Sequence, residues 1–264
     1  MKVLILGAEG MLGSAMVKEL SSFDLIAPTR SEYEAPDSID RFMLTEGDVV
    51  INCIGAIPQK KPTVEKLEKI NGDFPHLLAT RKDLYFIQIA TDCVFAGDKG
   101  FYTEQSERDA TDPYGVSKKR GEVSAANWLN LRCSIIGANG TGSLFDWVKN
   151  QPEGARINGF VNHYWNGVTT EAFARVVAGI MKQNYLLAGT QHLVPDDWVS
   201  KYDLVKMIAK RLGRDDIEVI PTITNMIDRR LATKFSYTNR LLWRNSRYLR
   251  GPMISEMVRT MSVD

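Results

Sequence analysis

Three cysteines in 264 residues, Cys53, Cys93 and Cys133, are too scattered and odd in number for a disulfide framework. None sits at metal-ligand spacing, so no metal is expected, and their apolar surroundings suit reduced thiols in a cytoplasmic protein. Excess charge is lacking too. Lys plus Arg number 33 against 32 Asp plus Glu, which offers no strong field to nucleic acid or an anionic membrane and favours a small-molecule partner. Long hydrophobic runs are missing. The opening MKVLILGAEG holds a short apolar run that fits a first strand, not a signal-peptide core or a membrane span. No internal repeat, low-complexity tract or charge block interrupts the chain, so disorder is expected only at its last few residues.

What is present is an alternation. Short runs rich in Val, Ile and Leu (VLIL, DLIA, DVVINCIGAI, LYFIQIATDCVF, WLNLRCSII) are separated by helical patterns, predicted over 11–20, 64–81, 113–126 and 171–184. Continuous apolar strands alternating with helices imply an α/β fold, a Rossmann-type doubly wound parallel sheet buried on both faces. The rhythm loosens after residue 138, at the glycine-rich GANGTGS and the loop QPEGARINGF. We therefore expect a dinucleotide-binding Rossmann domain over 1–138. Residues 139–264 form a mixed region that completes the fold and supplies a smaller, loop-rich C-terminal substrate part, set at the carboxyl ends of the strands where open α/β sheets bind ligands.

Directly after the first strand, GAEGMLG places Gly7, Gly10 and Gly13 at three-residue intervals. The first allows a tight strand-to-helix turn, the second lets backbone approach a pyrophosphate, and the third permits close helix packing. With Met11 and Leu12 they present a helix N-terminus to phosphates. The second strand ends in APTRSE, without the acid that holds an NAD ribose. Thr29, Arg30 and Ser31 could instead meet a 2′-phosphate, which makes NADPH the expected cofactor with NADH left open; the alternative for Arg30 is a solvated loop charge.

In DPYGVSKKRG, Tyr114 and Lys118 lie four apart, one above the other on a helix. Spacing alone is compatible with a surface pair. Beside a dinucleotide, however, a carbonyl substrate that receives hydride also needs a proton. Tyrosine supplies it if its pKa of ~10 is lowered, as a neighbouring ammonium would do. Lys118 could also hold the nicotinamide ribose. Thr91, at the end of the apolar strand in QIATDCVFAG, could orient the carbonyl oxygen, or be no more than a β-branched strand residue.

The combination of GAEGMLG, ATDCVFAG, DPYGVSKKRGE and NLRCSIIG resembles the extended short-chain dehydrogenase/reductases, and within them the dTDP-4-dehydrorhamnose reductase group. NGVTT, GTQHLV and VSKYDLVKMIAKRLG resemble that group's later segments. The resemblance implies an NAD(P)-dependent oxidoreductase that reduces a 4-keto group on a nucleotide-activated deoxysugar for cell-surface polysaccharide precursors. Tyr114 would be the acid, Lys118 its tuner and Thr91 the carbonyl holder. Asn71 in EKINGDFP matches a helix asparagine of the superfamily, and Asn52 through Cys53, Ile54, Gly55 and Ala56 should line the cofactor. A homodimer is left open.

Cys93 and Ile135 stand where the group carries an aromatic and a tryptophan, so the sugar is not fixed. A 4,6-dehydratase would carry Asp-Glu after the threonine; Asp92 is followed by Cys93, which disfavours dehydration while leaving both residues as substrate contacts. GDP-fucose synthases have a cysteine here, paired with a histidine for epimerisation, so Cys93 and His163 form an alternative acid–base pair; the other reading of Cys93 is a buried inert thiol. Tyr164 and Trp165 could stack on the substrate or pack inside. Arg230 in IDRR could clamp a diphosphate or make a surface ion pair. The regulatory subunit of methionine adenosyltransferase also resembles this group, so a non-catalytic binding protein is the rival class; it would not need Tyr114, Lys118 and Thr91 together.

Overall fold

The computed structural model describes residues 1–138 and 142–263. Part of GANGTGS, and the final residue of the tail where disorder is expected, lie outside the described residues. Six strands form the central sheet: β1 (Lys2–Leu6), β2 (Asp24–Ile26), β3 (Val49–Asn52), β4 (Tyr85–Thr91), β5 (Trp128–Cys133) and β6 (Gly189–His192). They run parallel in the order β2-β1-β3-β4-β5-β6. The order reverses between β1 and β3, and in such sheets the ligand crevice opens there, beyond the carboxyl ends.

Alternation along the strands explains why whole apolar runs are buried. Val3, Ile5, Val49, Ile51 and Ile87 face one layer, and Leu4, Leu6, Val50 and Phe86 face the other. The first layer contains helices α1 (Met11–Glu19) and α3 (Thr170–Lys182), which pack on each other. The chain beyond 139 is therefore no separate body: α3 covers the sheet and β6 extends it. Helix α4 (Lys201–Arg211) follows, with short strands grouped beside it: His163–Trp165 between Val199–Ser200 and Ile227–Asp228, and Arg156–Phe160 paired with Glu218–Thr222.

Two predicted helices differ from expectation, both next to the crevice. The helix expected over 64–81 runs as Val64–Leu67, a π-helical Glu68–Asp73, then Phe74–Leu78. Pro75 has no N–H to give the carbonyl of Asn71 four residues back, so the α ladder is interrupted there. The helix expected over 113–126 is α2 (Pro113–Arg120), started by the Asp112 carboxylate accepting from Gly115 N at 2.9 Å. It stops at Gly121, where a Cβ would come 1.8 Å from the Asn71 carbonyl oxygen, so only glycine lets the two backbones meet. The strand runs DVVINCIGAI and LYFIQIATDCVF also end earlier than their apolar pattern, at Asn52 and Thr91; beyond them Cys53 to Ala56 line the crevice, while Asp92–Val94 makes a short 3-10 turn that leads Val94 and Phe95 into a small core of their own.

Candidate active site

The turn after β1 holds its shape by main chain alone. Gly10 N donates to Gly7 O at 3.0 Å, and Gly7 has φ +79. A Cβ on Gly13 would lie 2.0 Å from Gly7 O, so the first turn of α1 sits directly on the strand end. Leu12 and Gly13 are buried under this contact, and Gly10 brings no side-chain acceptor to the helix start. The turn borders a cleft of ≈ 410 Å³ that also gathers Arg30, Cys53, Ile54, Gly55 and Ala56. A larger hollow of ≈ 580 Å³ along α4 contains none of the predicted site residues. Thr29 bonds Ser31 (3.0 Å) and Glu32 (2.8 Å), while the exposed Arg30 lines the cleft and pairs with Glu34 at 3.4 Å. Glu9, unmarked by its sequence, accepts from Arg30 N at 2.7 Å and closes this end.

Asn71 ties this cleft to the helix of the tyrosine. Its buried carboxamide accepts from Ala56 N and donates to Ala56 O, both at 2.9 Å, and donates to Ser117 Oγ at 3.1 Å. Ser117 in turn donates to Tyr114 O at 2.8 Å. The π-helical turn places this side chain, and such turns recur at functional sites.

Tyr114 and the end of β4 meet because Gly115 has no side chain: a Cβ there would lie 2.4 Å from Cys93 O. The phenol is raised above its ordinary range by burial, then by Cys93 and Asp92, while a hydrogen bond with Thr91 draws it back. This corrects the expectation of a lowered tyrosine. The largest influences on the phenol do not include Lys118, whose ammonium donates to Ile89 O at 2.8 Å. Burial pulls Lys118 down to about 8, opposed by Glu122, Cys93 and Cys53. Below that pH the site holds an ammonium and a neutral phenol, which is a proton donor.

Thr91 Oγ1 donates to Asp92 Oδ1 (3.2 Å) and accepts from Cys93 N (3.2 Å). Burial raises Asp92, against the charges of Arg229 and Lys201. Burial pushes the Cys93 thiol up to about 12, with Asp92 adding to it, so the thiolate needed for a base is suppressed.

The remaining expected contacts divide. His163 is not brought to Cys93: its ring bonds Thr224 Oγ1 (2.8 Å) and Asn225 O (2.9 Å) and lies against Phe160, because the Ile227 strand pairs alongside it. Trp165 is buried, its Nε1 donating to Ser134 Oγ at 2.8 Å, so it forms wall and not an open stacking face. Arg230 is turned inward to Asp228 (2.5 and 2.8 Å) and framed by Phe101, Tyr164 and Trp198, with ring centres 4.1, 4.6 and 4.2 Å from its guanidinium carbon. It is neither a surface pair nor a free diphosphate clamp, since its charge-bearing edge is taken. Its neighbour Arg229 points the other way: its Nε donates to Phe95 O at 2.9 Å and its charge reaches Asp92 and Cys93. Sequence reasoning missed Arg229 as a site residue, along with Ser117 and Lys201.

The glycine turn, its uncapped helix start and the cleft behind it fit a dinucleotide: the cradle is backbone that a Cβ would fill, and no carboxylate occupies the first turn of α1. Sheet order and cradle together define a dinucleotide-binding protein of Rossmann type. A family model described as the RmlD substrate binding domain matches residues 1–234, and the chain belongs to that family.

Among curated proteins the chain is similar to the dTDP-4-dehydrorhamnose reductase of Burkholderia thailandensis, 28% identical over 150 residues. That match covers 52% of this chain and 50% of that protein, so the chain spans about half its length. It is also similar to a probable dTDP-4,6-dihydroxy-2-methyloxan-3-one 4-ketoreductase of Streptomyces antibioticus, 24% identical over 257 residues, or 90% of this chain and 86% of that one. Among solved structures, a dTDP-4-dehydrorhamnose reductase of Clostridium acetobutylicum superposes with a TM-score of 0.78 at 21% identity, covering 99% of this chain and 98% of that one. The Bacillus anthracis dTDP-4-dehydrorhamnose reductase, solved in complex with NADP, gives 0.80 at 17% identity and covers 98% of each chain. These likenesses confirm the fold. Among the described residues, no helix is long and apolar enough to cross a membrane, and no cluster of His, Cys, Asp and Glu could hold a metal ion.

Proposed function

We propose that this protein reduces the 4-keto group of a nucleotide-activated deoxysugar with NADPH, in the cytoplasm, as a step toward surface polysaccharide. The observation that carries the reading is the meeting of Tyr114 and Thr91 at the carboxyl end of β4, with Lys118 one turn along and the glycine cradle across the switch point. The two named relatives are 4-keto sugar reductases, which agrees with it.

Gly7, Gly10 and the amides of Met11 and Leu12 would hold the pyrophosphate, Arg30 the 2′-phosphate, and Ala56, Asn71 and Lys118 the nicotinamide end. The dinucleotide supplies the hydride. Thr91 orients the substrate carbonyl by hydrogen bonding, and Tyr114, kept as a phenol, gives its proton to the oxygen as charge develops there. Lys118 stabilises the phenolate that results. Residues from 139 onward, with Asp92 and Cys93, form the sugar side. Reduction without epimerisation is favoured, because the Cys93 thiol lacks its histidine partner and is held protonated.

The test is loss of NADPH absorbance with a panel of 4-keto nucleotide sugars. Tyr114→Phe is expected to lower kcat at least about 100-fold, the usual worth of a general acid, with NADPH affinity retained. Wild-type rates from Tyr114→Phe would overturn the assignment and favour a non-catalytic role.

A further inference from the structure

Helix α4 begins with a cation. Ser200 caps it, accepting from Asp203 N at 3.0 Å, and Lys201 takes the first helical position. A helix N-terminus carries partial positive charge and favours acids, so a lysine there is locally unfavourable. Lys201 is also partly buried, and burial lowers its hold on the proton against the charges of Asp92 and Cys93. Its Nζ lies 5.4 Å from the ring centre of Trp165, yet among the described residues it donates no hydrogen bond. No sealed side-chain nitrogen or oxygen among them lacks a partner, so this ammonium opens to solvent.

The register of the sheet locates that opening. Thr91 and Cys133 are partners at the carboxyl ends of β4 and β5. Ser134 follows, and it anchors the Trp165 indole at 2.8 Å. The ammonium lying over that indole is thus near the carboxyl ends of β4 and β5, close enough to Asp92 and Cys93, next to Thr91, for their charges to act on it. A cation that opposes the helix dipole, loses hydration and makes no hydrogen bond in return breaks several local rules at once, which natural sequences do mainly where a ligand benefits.

We infer that Lys201 is a specificity-determining substrate contact, its ammonium donating to an oxygen substituent of the sugar ring held before Thr91 and Tyr114. The inference rests on the nucleotide-sugar reading above and adds the residue that recognises the sugar. A point charge with three donors selects an oxygen-rich or anionic ring position and discriminates against a ring deoxygenated there.

The experiment is equilibrium titration of the NADPH-loaded wild type, Lys201→Met and Lys201→Arg with dTDP-glucose, UDP-glucose and the corresponding nucleoside diphosphates. Lys201→Met is expected to bind the sugar nucleotide at least about tenfold more weakly, as loss of a hydrogen bond from a charged group implies. Its affinity for the diphosphate alone stays within about twofold, and Lys201→Arg restores most of the sugar affinity. Because the lysine opposes the helix dipole, the Tm of Lys201→Met is expected to be no lower than wild type, an outcome a structural role would not give. Unchanged sugar binding, equal weakening of both ligands, or a lowered Tm overturns the inference. Wild-type protein that binds neither sugar nucleotide would instead remove the substrate class, and this inference with it.

Discussion

Around Gly7 the crevice wall is main chain; around Asp92 it is side chains drawn from four separate segments. The glycine-turn side is fixed by contacts no side chain could fit into, with Gly13 against Gly7 and Gly7 against Ile54. The Asp92 side gathers Cys93, Trp165, Lys201 and Arg229, and two of its buried charges are shifted toward neutrality by that burial. A wall of backbone is rigid and indifferent to the substrate's identity, which suits a part common to many reactions. A wall of side chains can be changed one residue at a time, and its charges sit at a cost in stability that a ligand can offset.

Three substitutions test this contrast. The largest effect is expected from Gly13→Ala, whose Cβ would meet Gly7 O at 2.0 Å. A backbone clash of that kind should cost roughly 3–5 kcal/mol in urea unfolding and abolish NADPH binding by fluorescence titration. A variant that keeps both would show the turn to be softer than its geometry.

On the other side, Asp92→Asn should behave in the opposite way, lowering kcat/KM about tenfold through altered polarity near the substrate while raising Tm at pH 7. The sign follows from the raised carboxyl. The folded state holds its proton to higher pH than the unfolded one, so wild-type stability falls as pH rises out of the ordinary carboxylate range, and the penalty stays above the folded pKa. The advantage of Asp92→Asn should therefore grow as pH rises out of the ordinary carboxylate range and vanish in melts taken below it. A lower Tm at pH 7 would mean that the charge is structural.

The smallest effect is expected at Arg30, whose exposed pair with Glu34 contributes little to stability. Arg30→Ala should leave the urea midpoint unchanged and reduce the NADPH-over-NADH preference about tenfold. An unchanged preference would return Arg30 to a solvated loop charge.

The same contrast governs what could be read before any coordinates. VLIL followed by GAEGMLG is a contiguous signal, because a strand, a turn and a helix start lie within 13 residues and each glycine has a separate steric reason. The parallel sheet was equally legible from runs apolar on both faces. Tyr114 and Lys118 could be paired by helical spacing, but the ammonium's preference for Ile89 O could not, since it depends on a strand 29 residues away in sequence. Residue type alone does not tell Arg229 from Arg230, since both lie just beyond the two-residue strand Ile227–Asp228. His163 has the chemistry of a proton carrier in the sequence, but its ring is committed by a loop some 60 residues further on. Lys201 did leave a trace, a basic residue immediately after the serine cap in VSKYD, where an acid would be the ordinary choice.

One carboxamide joins the two walls. Asn71 grips both polar groups of Ala56 on the glycine-turn side and the hydroxyl of Ser117 on the tyrosine side. The loop after β3 and the helix that carries Tyr114 thus hang on a single side chain, and a substitution there would loosen both at once.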